Sequence, residues 1–112
     1  MTQEILQAAG FAEGVTCAQA VFLHPPTVPF VVWFDNVTAD GSDDGCEVTE
    51  HAVTLELYSQ GKPSPACENA LEGALRARGR HYEKTGRTWI QSERYFLTVY
   101  NFVYFEKEAN NG

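Results

Sequence analysis

Three cysteines in 112 residues, Cys17, Cys46 and Cys67, are too few, too far apart and odd in number to frame a disulfide scaffold. No C-x-x-C pair occurs, which excludes a zinc ribbon and a thioredoxin-type motif, and each cysteine reads as a small hydrophobe or a loop residue. Positive charge is scarce as well. Eight Lys and Arg stand against fifteen Asp and Glu, for a formal net charge of −7 and a pI near 4.8. A chain with this balance repels phosphate backbones, so direct nucleic-acid binding is not expected. No apolar run approaches the ~18 residues of a membrane span. The N-terminal stretch MTQEILQAAGF lacks a basic leader region, so a protein made and folded in a cytoplasm, without membrane contact, is expected. Internal repeats, low-complexity tracts, G-x-S-x-G, P-loop and Rossmann fingerprints are all missing, and Gly10–Gly14 is too loose a glycine pattern to count.

What is present suits one folded domain spanning residues 1–112. Hydrophobic residues make up 44% and charged residues 21%, close to soluble globular averages. Ile5, Leu6, Ala9 and Ala12 share a helical stripe, predicting a helix over 2–13 that Thr2 caps, Glu4 favours through the helix dipole and Gly14 ends. The run VTCAQAVFL (15–23) predicts a strand, and the prolines at 25, 26 and 29 force an extended connection after it. FVVWFDN (30–36) is β-branched and aromatic throughout and reads as a strand with both faces covered or an edge lying under something. The polar stretch 37–45 reads as a loop. Val53, Leu55 and Leu57 alternate with Thr54, Glu56 and Tyr58, the pattern of a half-buried strand over 47–58 and an antiparallel hairpin with 30–36.

Ser64 and Pro65 mark a helix start, and Gly79 marks its end. Between them Cys67, Ala70, Leu71, Ala74 and Leu75 form one apolar stripe, so a helix over 65–78 packs Ala70, Leu71, Ala74 and Leu75 on a sheet. Strands over 81–91, kinked near Gly86, and over 94–107 complete the chain. The fold class expected is therefore α+β, a mainly antiparallel sheet of four or five strands with two helices packed on one face.

The last strand carries apolar groups on both sides. Leu97, Val99, Val103 and Phe105 fall on one face and Phe96, Tyr100, Phe102 and Tyr104 on the other. Two short helices cannot cover both faces of such a sheet. Either a partner subunit covers the aromatic face, or the tyrosines lie at the rim with their hydroxyls in water. Candidate chemistry is sparse. Asp40-Gly41-Ser42-Asp43-Asp44-Gly45 has the oxygen spacing of a calcium-loop opening, but His51 stands where that loop needs a bidentate glutamate. His24, His51 and His81 show no ligand spacing, and His51 is expected at the sheet margin. Arg76, Arg78, Arg80, Lys84 and Arg87 form a basic cluster, read either as solvated helix-end charges or as a docking patch for acidic groups. No residue is singled out as catalytic, cofactor-binding or metal-binding.

Two stretches resemble a known group. PFVVWFDN followed by an acidic segment and HAVTLELYSQGK, and the closing YEKTGRTWIQSERYFLTVYNFVYFEK, resemble small proteins of the siphophage and prophage head–tail module, across about Pro29 to Lys107. These are tail-terminator and tail-completion (tail-to-head joining) factors. The resemblance implies a structural, non-enzymatic protein of the virion tail or neck, assembled in the cytoplasm of a bacterial host. It implies a homo-oligomeric ring, typically hexameric, with tail tube and connector proteins as partners and no cofactor. On this reading Phe96, Tyr100, Phe102 and Tyr104 form one side of the ring contact, and Arg76, Arg80, Lys84 and Arg87 meet Asp40, Asp43 and Asp44 of a neighbour. The alternative kept beside it is a small ligand- or calcium-binding α+β module.

Overall fold

Cross-strand pairing builds one five-stranded sheet whose strands run, from edge to edge, through Cys17–Gln19, Phe30–Gly41, Cys46–Gln60, Tyr95–Ala109 and Tyr82–Ile90. The structure is a computed structural model that describes residues 1–41 and 46–109. Its elements are α1 (Thr2–Ala8), β1 (Cys17–Gln19), β2 (Phe30–Gly41), β3 (Cys46–Gln60), α2 (Pro65–Ala77), β4 (Tyr82–Ile90) and β5 (Tyr95–Ala109). β1 lies parallel to β2 through Cys17↔Val31, and the other strand-to-strand ladders among the described residues are antiparallel. The α+β class and the predominance of antiparallel pairs match the expectation.

Both helices lie on one face. Ile5 and Leu6 of α1 and Leu71, Ala74 and Leu75 of α2 pack against Val31, Trp33, Val53, Leu55, Leu57, Tyr100 and Phe102 of the sheet. α2 forms where its signals place it: the Ser64 hydroxyl accepts from the Cys67 amide, and Pro65 opens the helix where no amide is needed. The buried stripe differs slightly from the expected one. Ala70 is only half-buried, and Glu68 joins Leu71 and Leu75 in the interior.

Three boundaries move. α1 stops at Ala8 rather than near residue 13, because Gly10 turns the chain with φ +96° and the Phe11 amide closes back on the Leu6 carbonyl. Thr2 is not its cap; that residue is buried, and the helix starts from Met1 without a side-chain cap. β1 spans three residues instead of nine, since only Cys17–Gln19 have partners on β2. Val37–Gly41, expected in a loop, continue β2, because each of these residues pairs with β3 up to Gly41↔Glu47. Polar composition there reflects exposure, not loop backbone. β2, β3 and β5 therefore extend past the helices as a three-stranded arm, in a molecule 53 Å long and 22 Å thick.

The largest correction concerns β5. Parity along the strand is as read, but the side is reversed: Tyr100, Phe102 and Tyr104 are buried under the helices, with Tyr100 0% exposed. Strand order explains it, since β5 sits between β3 and β4 and presents its larger rings to the covered face. The outer face carries Leu97, Val99, Val103 and Phe105. Its end near Phe30 is shielded by segment 20–29, where Phe22 packs edge-on to Phe30 at 5.5 Å and Tyr58 stacks on Phe30 at 5.1 Å. At the arm end Val103 and Phe105 are exposed.

Leu71 is fully enclosed, so Leu71→Ala is expected to cost about 2–5 kcal/mol through lost burial and a residual cavity, read as a shift in the urea midpoint. A loss under about 0.5 kcal/mol, the size of an ordinary surface substitution, would place another face of α2 against the sheet.

Candidate functional site

Charge is organised in two places, one beneath α2 and one where the arm leaves the helix-covered core. Beneath α2, Glu68 is 2% exposed and every oxygen it offers is met. Arg87 donates to it through Nε at 3.2 Å and Nη2 at 2.8 Å, Lys84 Nζ at 3.0 Å and Thr98 Oγ1 at 3.0 Å. Glu72, one helical turn on, accepts from Lys84 Nζ at 2.9 Å and Tyr100 Oη at 2.7 Å. Burial pushes both carboxyl groups up, but the hydrogen bonds from Arg87, Lys84 and Thr98 to Glu68, and from Lys84 and the tyrosines to Glu72, outweigh it and hold both below the usual carboxylate range. Lys84 is correspondingly raised, mainly by its bond to Glu72.

A backbone irregularity makes this cluster possible. Residues 84 and 87 are an odd number of positions apart and would point to opposite faces of a regular strand. The register between Thr85 and Arg87 shifts at Gly86, where φ is +33°. Lys84 then lies opposite Tyr100 and Arg87 opposite Thr98, both on the helix-covered face. The kink expected near Gly86 is present, and its consequence is electrostatic.

At the arm's root, His51 of β3 is held from both sides. Its Nδ1 lies 2.8 Å from Asp35 Oδ2 on β2 and its Nε2 2.7 Å from Glu106 Oε1 on β5. The ring stacks on Tyr104 with centroids 4.3 Å apart and planes 6° from parallel. One side chain thus ties three strands together. His51 shares a face with Val53 and Leu55, as its parity implies. It lies on the middle strand of the sheet rather than at the sheet margin, because β3 is paired on both sides. The sequence points to neither carboxylate as its partner. Among the described residues no group of three His, Cys, Asp or Glu side chains has metal-holding geometry. The Cys17 thiol, buried and donating to Glu13, is pushed up to about 12, chiefly by burial, which keeps it a thiol.

The proposed contact residues fare unevenly. Tyr100, Phe102 and Tyr104 are core residues and cannot form a ring surface; Phe96 is half-buried against Trp89 at the edge of the same face. Lys84 and Arg87 are not a free basic edge, because Glu68 and Glu72 engage them. Arg76 and Arg80 remain near the end of α2, Arg76 donating to the Tyr82 hydroxyl and Arg80 to the Arg78 carbonyl. Asp40 is described only as backbone of β2, and Asp43 and Asp44 lie outside the described residues. On β5 the exposed apolar side chains are Val103 and Phe105, of the parity opposite to the one expected at the surface.

Glu68→Gln keeps the size and some hydrogen bonds of the side chain but removes its charge from beneath Lys84 and Arg87. A loss of about 1–2 kcal/mol at pH 7 is expected, the lower range because both cations are partly solvated. A carboxyl held below its ordinary value contributes stability above the unfolded pKa of about 4.5, lost as pH falls through the folded value. Denaturant curves of the two proteins should therefore diverge at neutral pH and converge as pH drops below about 4.5; a gap that stays constant would show that charge is not what Glu68 supplies.

No protein-family model matches the chain, and a search of curated proteins finds no similar sequence.

Proposed function

We propose that this chain is a structural subunit that acts by associating with copies of itself, as a tail-terminator or tail-completion factor in the head–tail module of a siphophage or prophage. The observation that carries the assembly reading is the arm. Three strands run past the helices, with Val37, Val103 and Phe105 exposed on it, and soluble proteins that leave such groups uncovered usually bury them against a partner. The phage assignment is supported by the resemblance over about Pro29 to Lys107. On it the oligomer is a ring, hexameric in the commonest case, positioned in the virion between tail tube and connector, with no catalytic role.

A second reading draws on an open cleft on the outer face, lined by Phe22, Phe34, Tyr58 and Tyr95 among others. Concave aromatic surfaces of this kind suit small apolar ligands, and that reading, with calcium at Asp40–Gly45, belongs to a binding module rather than an assembly subunit.

Native mass spectrometry with negative-stain microscopy separates them. A closed oligomer that grows with concentration, and a melting temperature indifferent to micromolar calcium, is expected. A chain monomeric at every concentration whose melting temperature rises by several degrees with calcium would overturn the assembly reading in favour of the binding module. Tyr100→Asp, placing a carboxylate in the core, is expected to abolish folding rather than assembly alone, which circular dichroism reports.

A further inference from the structure

We infer that the aromatic cleft on the outer face of the sheet binds a small organic cation with an alkylated ammonium head. The inference rests on the second reading for the cleft alone, gives that cleft a ligand class, and is independent of assembly. The cleft lies near Phe30 and Tyr58, at the opposite end of the outer face from Val103 and Phe105.

Residues of segment 20–25 form one wall, fixed to the sheet where the Ala20 amide donates to the Trp33 carbonyl at 2.8 Å. Outer-face side chains of β2, β3 and β5 form the floor. The volume is about 460 Å³, within the roughly 300–1,000 Å³ range of small-molecule sites. Its rings stand at steep angles to one another. Tyr95 meets Phe30 at 6.0 Å and 86° and Tyr58 at 6.2 Å and 68°, while Phe22 meets Phe30 at 82°. Such angles make a concave corner instead of a flat wall, and a corner lets more than one ring act on the same cation.

Charge selects the ligand. Among the described residues, the charged ones lining the cleft are Glu56 and Glu93, both acidic. Glu56 shares the parity of Tyr58, opposite to that of buried Leu55 and Leu57, and stands between Val32 of β2 and Val99 of β5. This half-buried carboxylate accepts from the Tyr58 hydroxyl at 3.0 Å. No ion pair engages it or Glu93 among the described residues, and His24 and Arg94, the basic residues nearest in sequence, do not line the cleft. The Tyr58 phenol, pushed up to about 12 chiefly by burial, stays neutral and supplies a hydrogen bond but no counter-charge. A neutral ligand seated here would strip water from Glu56 and return nothing for it. A cation returns the missing charge. A primary ammonium is strongly hydrated and needs several acceptors, whereas an alkylated one sheds less water and presents methyl groups to the rings.

Amide chemical shifts of the isotope-labelled full chain test the site with three related probes. These are choline, its uncharged analogue with carbon in place of nitrogen, and ethanolamine, which keeps the chain and charge but has no methyl groups. Choline is expected to shift amides around Glu56, Tyr58 and Tyr95 and to bind about tenfold more tightly than either of the others. Glu56→Gln, with folding checked by circular dichroism, is expected to remove most of the preference over the uncharged analogue; a preference that persists overturns Glu56 as the counter-charge. The probe comparison on wild type decides the rest without any variant. Equal binding of choline and its uncharged analogue overturns the cation and leaves the apolar cleft of the second reading. Equal binding of ethanolamine overturns the alkylated head. Shifts confined to residues outside the cleft, or none at tens of millimolar choline, overturn the site, and the assembly reading stands or falls separately on the oligomeric state.

Discussion

Glu68 sits between α2 and the sheet with 2% of its surface exposed, and a carboxylate so placed is tolerable only if several donors reach it. That requirement runs through much of the architecture. Two donors come from β4, one from β5, and the helix must hold one register over both strands for all of them to arrive. The Gly86 bulge brings Lys84 and Arg87 to the same side, and the Glu72–Tyr100 bond repeats the attachment one turn along α2. An apolar residue at position 68 would pack the helix without specifying where along the sheet it lies. The ion cluster adds positional definition to a contact whose free energy comes chiefly from Leu71, Leu75 and their neighbours.

Much of this could be read from the chain, and what could not has identifiable reasons. α2 was legible because Ser64, Pro65 and Gly79 act through local backbone chemistry that needs no tertiary context. The alternation in β3 and β5 was legible for the same reason: side-chain parity is a property of the strand alone. Which parity faces the core is not. With large apolar groups on both sides of β5, only the order β3-β5-β4 decides, and that order is a non-local fact. Val37–Gly41 escaped because their strand conformation comes from pairing with β3 rather than from propensity. Glu68 escaped because an acid in the first turn of a helix ordinarily serves the dipole in solvent. Its spacing of three and seven residues from Leu71 and Leu75 placed it on the buried stripe, and that was the available signal.

The arm and the core divide the labour of the molecule. Helices cover one face of the sheet and bury most of the aromatic surface, while His51, held by Asp35 and Glu106, fastens three strands just where that cover ends. Beyond this point the sheet is held by the pairing of β2 with β3 and of β3 with β5. A sheet-based projection keeps its side chains at a fixed spacing of about 3.3 Å per residue, which a loop does not.

The pairing of β3 with β5 also governs how the chain reaches this state. Gln60 lies opposite Tyr95 and Cys46 opposite Ala109, so the central ladder joins segments separated by α2 and all of β4. Contacts of such sequence separation carry a large loop-closure cost and form late. The local units, the β2–β3 hairpin, α2 and the β4–β5 hairpin, are available first, and their docking brings Tyr100 beneath the helix. Until then both β3 and β5 expose an unpaired edge along long apolar strands, the arrangement most prone to pairing with another nascent chain. The outermost rungs, near Ala109, have the longest loop to close, so the arm would be the last part of the sheet to zip and the first to open.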